Sequence, residues 1–353
     1  MRLDARTDEP MRKLLNTLYV TDPELYLALE GEAVVIRKEA KVALRLPLHN
    51  LESIISFTHT GASPALMGAC ADRGISLCFL SPGGRFRARV TGRVQGNVLL
   101  RKTQYAVSED MDRSAVLASS FVLGKTYNAR QVLQRAIRDH ALSVDADALR
   151  AASDSLKAMT STVSECESVA DLMGLEGRAA KTYFGVFGQL ILQQRDDFQF
   201  TTRTRRPPLD NVNSLLSFLY TVLANEVASA LEVVGLDPYV GFLHQDRPGR
   251  PSLALDMMEE LRAVFVDRLV LSLINRRQIT GVGFTRKESG GILMDDATRK
   301  KVLTAWQERK KDEIRHPFLG EQMPFGLIPH IQALLLARTL RGDLDTYPPF
   351  FWG

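Results

Sequence analysis

Two textures divide the chain. From Leu14 to roughly Gly92, short apolar-rich runs alternate with turn formers: Asn16 to Val20, Leu25 to Leu29, Ala33 to Arg37, Val42 to Leu46 and Leu51 to Thr58, with Asp22-Pro23, Glu30-Gly31 and Pro47 between them. Runs this short, bounded this way, predict β-strands. Ser63-Pro64 opens a small helical pattern that stops before Gly74, a start-and-stop pair suited to one short helix. Ile75 to Leu80 and Phe86 to Thr91 then read as two more strands, joined by Ser81-Pro-Gly-Gly84. Closely spaced short strands predict a small sandwich with one inserted helix. After Gly96 the apolar positions adopt the helical period through Ala115 to Arg138, Ala146 to Met159, Glu165 to Gln194 and Val212 to Val233. Beyond Ser252 a stripe of Leu255, Met258, Leu261, Val264, Val266, Leu269, Val270 and Leu273 predicts another helix. A hairpin around Ser289-Gly290-Gly291, a helix from Asp295-Asp296 and a last helix from Ile328 to Leu340, stopped at Gly342, complete the pattern. The chain therefore reads as α+β, with a small N-terminal β-sandwich-like domain over residues 1–95 and a larger all-α C-terminal domain over residues 96–353.

Composition changes this picture little. The 353 residues are 45% hydrophobic and 24% charged, ordinary for a globular protein with real cores. A net charge of +4 and a pI of about 8.9 permit a polyanionic partner. Cys70, Cys78 and Cys166 are odd in number and far apart, which excludes a disulfide scaffold and a zinc knuckle and points to a reducing compartment. Met1 to Pro10 lacks an apolar signal core. The most apolar long run, Val264 to Ile274, is broken by Asp267 and Arg268 and is too short to span a bilayer. A cytoplasmic protein with no membrane association is expected.

The candidate chemistry gathers around Gly235-Leu-Asp-Pro-Tyr-Val-Gly-Phe-Leu-His244, which continues to Leu255-Asp256-Met-Met-Glu259-Glu260. Gly235, Pro238, Gly241, Pro248 and Gly249 mark irregular backbone that delivers His244. The helix that follows places Asp256 three residues before Glu259 and four before Glu260, so these carboxylates can share a face. Imidazole nitrogen and carboxylate oxygen suit a divalent ion such as Mg²⁺ or Mn²⁺; acidic residues in a first helical turn also simply favour the helix dipole. Glu176 lies among Leu172, Met173, Leu175, Ala179, Ala180 and Phe184, where a buried carboxylate needs a partner or a metal; a surface glutamate on a polar stripe is the plainer reading. Arg85, Arg87 and Arg89 alternate along one predicted strand, as phosphate contacts or as a solvated, edge-protecting face. Arg203, Arg205 and Arg206 precede a Pro-Pro turn and the helix that Asp210 or Asn211 caps, a place suited to phosphate and equally to water.

Several blocks together resemble one known family. They are Leu175-Glu176-Gly177 with Tyr183-Phe184; Arg206-Pro207-Pro208-Leu-Asp210 with Asn213-Ser214; Gly235-Leu-Asp-Pro238; Gly241-Phe-Leu-His244; Gly249-Arg250; and Leu255-Asp256-Met-Met-Glu259-Glu260. In the tail, His316-Pro317, Gly342 and Pro348-Pro349-Phe350 join them. Their order and near full-length coverage resemble the CRISPR-associated protein one family, the integrase subunit of spacer acquisition. The resemblance implies a homodimer held largely through the β domains, two such dimers flanking a dimer of CRISPR-associated protein two. It also implies a Mg²⁺ or Mn²⁺ site formed by Glu176, His244 and Glu259, with Asp256 a further acidic position; whether Asp256 or Glu259 touches the metal stays open at this level.

The implied reaction is attack by a 3′-hydroxyl of incoming double-stranded DNA on a phosphodiester of the repeat. It needs no protein nucleophile, only Lewis acidity at the phosphate. Water in place of that hydroxyl would give endonuclease cleavage. Contacts by Arg85, Arg87, Arg89, Arg203, Arg205, Arg206 and Arg250 would then be to DNA backbone and salt-sensitive. A noncatalytic nucleic-acid-binding scaffold and a small-molecule phosphodiesterase are the competing readings.

Overall fold

The structure is a computed structural model and describes residues 16–39, 41–81, 86–92, 98–166 and 168–353. The expected boundary at residue 95 and the side chain of Arg85 lie outside them. The first region contains β1 (Thr17–Val20), β2 (Leu25–Glu30), β3 (Ala33–Lys38), β4 (Lys41–Pro47), β5 (Ser53–Ser56), α1 (Pro64–Asp72), β6 (Ser76–Leu80) and β7 (Phe86–Val90). They form two sheets, one of order β1-β5-β6-β7 and one of order β2-β3-β4. Strands β1, β5 and β6 run parallel, and β7 closes that sheet antiparallel to β6. The parallel step from β5 to β6 requires a crossover, which α1 supplies. Ser63 caps α1 by accepting from the Leu66 N–H, with Pro64 in the first turn.

The strand period of two decides how this region attaches to the rest. Ile54 and Leu77 point into a core shared with Leu27, Val34, Ile36, Leu66 and Cys70. Their neighbours Ile55 and Cys78, with Phe57 and Leu80, point the other way, into the core of the helical region. Phe57 stacks on Phe218 with ring centroids 5.9 Å apart. The larger sheet is thus buried on both faces.

The helical region runs α2 (Val98–Glu109), α3 (Met111–His140), α4 (Ala146–Thr162), α5 (Val169–Phe187), α6 (Asn211–Val233), α7 (Ser252–Leu261), α8 (Arg268–Asn275), α9 (Asp296–Lys310) and α10 (Ile328–Arg341). Asp110, Asp145, Ser168, Asp210 and Asp295 each cap a helix by accepting a backbone N–H three residues on. The hairpin expected around Ser289-Gly290-Gly291 is present as β8 (Phe284–Arg286) paired with β9 (Ile292–Met294). Two findings depart from the sequence reading. A second ribbon, β10 (Glu313–Arg315) with β11 (Gln322–Pro324), interrupts the helices. And α5 stops at Phe187 instead of reaching Gln194: the chain tightens into a single 3-10 turn over Gly188–Leu190 and becomes extended at Ile191, where a Cβ on Gly188 would lie 2.6 Å from the Phe200 carbonyl oxygen.

The longest apolar helix is α6, not the run near Val264. Among the described residues it is the one helix long and apolar enough to cross a membrane by length and composition. Its Val212, Leu215, Leu216, Phe218, Leu219, Val222, Leu223, Val227 and Leu231 are instead buried in the protein core.

Candidate functional site

Three helices and one loop meet at the site. Helix α3 packs against both α5 and α7. The α3–α7 crossing is close because Gly124 stands there: a Cβ on it would lie 2.8 Å from the Glu260 Cβ. That approach brings the next residue, Lys125, to the carboxylates. Its ammonium pairs with Glu176 of α5 and, at 2.7 Å, with Glu259 Oε2 of α7. Arg262 Nη2 takes the other oxygen, Glu259 Oε1, at 3.0 Å. Burial disfavours charge on Glu259, yet Arg262, Lys125 and His244 outweigh it and hold the carboxyl down to about 2.

The loop before α7 is folded around Asp256. Oδ2 accepts the backbone N–H groups of Phe242 and Leu243 at 2.7 and 2.9 Å. Oδ1 accepts the His244 N–H at 2.9 Å and stands 2.6 Å from His244 Nδ1. Asp256 is fully buried, so one carboxylate satisfies four donors and fixes the imidazole. Gly241 is required beneath it, since a Cβ there would fall 2.8 Å from Asp256 Oδ2.

Glu260 faces away from this cluster. It accepts from Tyr347 Oη at 2.5 Å, Gln332 Nε2 at 3.0 Å and the Phe350 N–H at 2.6 Å. Burial pushes its carboxyl up to about 7 against those hydrogen bonds. Asn128, one turn beyond Lys125, donates to the carbonyls of Glu260 and Phe350, both at 2.7 Å. Glu260 and Asn128 thereby tie the Pro- and aromatic-rich tail to the helices that carry the site.

Between α7 and α8 the backbone widens into a π-helical turn, Arg262–Asp267, a feature that clusters at functional sites. Arg262 lies over the Tyr220 ring, 5.1 Å from its centroid. Tyr220 Oη donates to Asp267 at 2.6 Å, and burial raises that carboxyl to about 6. Arg203 covers the same ring at 5.3 Å.

The structure brings Glu176 and Glu259 onto one ammonium and places His244 where it acts on Glu259. Two of the arginines proposed for DNA have other partners. Arg89, its side chain 10% exposed, pairs with Glu232 at 3.2 Å and donates to Asn225 Oδ1 at 2.8 Å, because the inner face of β7 packs on α6. Arg203 donates to Asn213 Oδ1 at 2.7 Å and Ser217 Oγ at 3.0 Å, pinning its loop to α6. Both guanidiniums are occupied within the fold. Arg87, Arg205 and Arg206 are exposed, and Arg250 is half-buried.

Whether these residues suit a divalent cation can be judged from their chemistry. The two carboxylates and the imidazole are donors for a hard or borderline ion. An imidazole whose Nδ1 is held by a carboxylate keeps Nε2 for ligation, the usual outer-shell pattern. Glu259 Oε2 is buried, and its contact with Lys125 lacks the alignment of a hydrogen bond, so it has no hydrogen-bond partner. Among the described residues, however, no three His, Cys, Asp or Glu side chains form a ready-made cage. The donor set fits a cation, and a lysine ammonium sits between two of its members.

A family model described as CRISPR associated protein Cas1 matches residues 18–308. The chain belongs to the Cas1 family. A CRISPR-associated endonuclease Cas1 of Rhodospirillum rubrum is 54% identical over 346 residues, covering 97% of this chain and all of that one. Another, of Chlorobaculum tepidum, is 50% identical, again covering 97% of this chain and all of the relative. Among solved structures, a Cas1 protein from Thermotoga maritima matches with a TM-score of 0.81 at 22% identity, covering 94% of this chain and 99% of that one. A casposase bound to integration product matches with a TM-score of 0.82 at 19% identity, over 96% and 94% of the two chains. At those identities the structures speak for the Cas1 fold, a strand-rich N-terminal region followed by a mostly helical one.

Proposed function

We propose that this Cas1 protein is a divalent-metal-dependent DNA integrase and endonuclease of spacer acquisition. The carrying observation is the convergence of Glu176 and Glu259 on one cationic group, with a histidine fixed by a buried aspartate near enough for its charge to act on Glu259. We take Glu176, His244 and Glu259 as the metal-holding residues for Mg²⁺ or Mn²⁺. All four donors of the loop and ring converge on the two oxygens of Asp256, so it acts as the residue that positions His244. A bound divalent ion would supply Lewis acidity at the attacked phosphate.

The chain's own residues do the rest. Asp256 holds the imidazole ring at Nδ1. Before a cation binds, Arg262 and Lys125 keep Glu259 ionised at neutral pH, so both of its oxygens remain acceptors. The reaction conserves phosphodiesters: the 3′-hydroxyl of the incoming strand bonds to phosphorus and loses its proton. The repeat strand's 3′-oxygen departs and gains one. Water in place of the hydroxyl gives cleavage.

The substrate reading is double-stranded DNA, spacer precursor and repeat, held by backbone contacts from Arg87, Arg205, Arg206 and Arg250. The assembly reading is a homodimer through the strand-rich region, working with a dimer of Cas2. Solved complexes of like fold include a Cas6-RT-Cas1 chain with Cas2, which supports the partnership. A domain division near residue 95 is part of the same reading.

Glu176→Ala and His244→Ala test it, assayed for strand transfer of a duplex with free 3′-hydroxyl ends in Mg²⁺ or Mn²⁺. Folded variants that bind DNA yet transfer no strand are expected. Full activity in either variant removes the site assigned here, whereas a wild type that binds DNA and transfers no strand leaves the scaffold role in its place.

A further inference from the structure

We infer that Lys125 is a resident counter-cation, holding the seat between Glu176 and Glu259 and vacating it when a divalent ion binds, so that this one side chain sets the affinity of the site for metal. The inference rests on the metal-site reading above.

Two cations serve Glu259, and they are not equivalent. Arg262 is pinned: it pairs with Glu259 Oε1, lies over the Tyr220 ring and sits on the π-helical turn. Nothing comparable holds Lys125. Among the described residues its ammonium has no hydrogen-bond or ion-pair partner besides Glu176 and Glu259. Its side chain is 12% exposed, so a path toward solvent exists. A compact ammonium on a flexible four-carbon stem can leave a site that a guanidinium fork, fixed by stacking, cannot.

Charge accounts for both states. Without metal, two largely buried carboxylates face each other, and leaving either unpaired is costly; Lys125 compensates both at once. With a divalent ion on the same two carboxylates, an ammonium at that position would stand against a double positive charge in a low-dielectric pocket. The two cations exclude one another. The conformer with Lys125 seated cannot take metal, so the apparent affinity is the intrinsic affinity scaled by the fraction of molecules in which the seat is open. The poor alignment of Lys125 on Glu259 Oε2 belongs to this picture: the contact is charge pairing without a directional hydrogen bond.

The test compares full-length wild type with Lys125→Met and Lys125→Arg. Mn²⁺ binding is read by isothermal titration calorimetry at pH 8, and thermal unfolding is followed in EDTA and in Mn²⁺. Lys125→Met should bind Mn²⁺ at least about tenfold more tightly than wild type. It should also melt lower in EDTA and gain more from Mn²⁺, while Lys125→Arg stays near wild type. A lysine that merely fills space or props the carboxylates would give a lower melting point with unchanged or weaker Mn²⁺ binding, and that result overturns the inference. If wild type and variants alike bind no Mn²⁺, the metal-site reading fails first and takes this inference with it. Should the methionine variant not fold, Lys125→Gln supplies the same comparison.

Discussion

Asp256 offers the sharpest separation between holding a loop and holding a metal. Replacing it by asparagine changes one oxygen to an amide that donates. In the native site, Oδ2 accepts two backbone N–H groups, and Oδ1 accepts a third and faces His244 Nδ1. With the amide at Oδ2 the two backbone N–H groups of Phe242 and Leu243 lose their acceptor; with it at Oδ1 the His244 N–H does, while the imidazole turns to the tautomer in which Nδ1 accepts, all in a position with no solvent exposure. A buried donor without an acceptor costs about 1–3 kcal/mol, so Asp256→Asn should lower unfolding stability by at least about 1–3 kcal/mol. Urea unfolding with an unchanged m-value reads that loss directly. Strand transfer should fall as well, because the imidazole is no longer oriented. The refuting outcome is specific: stability within about 0.5 kcal/mol of wild type, combined with abolished Mn²⁺ binding, would make Asp256 a ligand rather than the residue that positions one.

Glu260 and the exposed arginines give the remaining predictions. The Glu260 carboxyl titrates near 7 in the fold against an ordinary value of 4.5, so between those pH values the native state holds more protons than the unfolded one, and stability falls as pH rises. Alone this is on the order of 3 kcal/mol across the window. Urea midpoints from pH 5 to 8 should show that fall in wild type and a shallower one in Glu260→Gln, and parallel curves would refute it. Replacing Arg205 and Arg206 together by alanine should reduce the slope of log K against log salt for DNA binding by about 1.8, with stability unchanged. Arg203→Ala should instead destabilise, since its guanidinium ties the loop to Asn213 and Ser217; an unchanged salt slope in the double variant would detach that loop from the DNA reading.

The strand-rich region was legible because its cues are local. Turn formers and period-two alternation placed every strand from β1 to β7 within a few residues. The same alternation did not reveal that both faces of the larger sheet are covered, since apolar residues on both sides also describe an isolated small sandwich. The partners of Arg89 within the fold were hidden for that reason. Alternation correctly put Arg89 on one face with Arg87, but whether that face meets water or α6 is decided some 140 residues away, by Asn225 and Glu232. The second ribbon, β10 with β11, was missed because three-residue strands carry too little pattern to register.

At the site, the acidic cluster was readable and its division of labour was not. Asp256, Glu259 and Glu260 are near neighbours on one helix and look interchangeable in sequence. The fold gives them three surroundings: a nest of loop donors, a pair of cations and the C-terminal tail. Helical spacing says which residues share a face, but only tertiary packing says what that face meets. Lys125 is the extreme case. It lies in the middle of a thirty-residue helix, in no acidic or basic run, and nothing within several residues of it hints at a charge partner. The available signal was the glycine before it. A glycine inside a long helix lowers helix propensity unless a close approach requires it, and Gly124 permits the approach of α7 that sets an ammonium between Glu176 and Glu259. The lysine's role therefore follows from its neighbour's missing side chain, and a Gly124→Ala change would displace the charge without touching it.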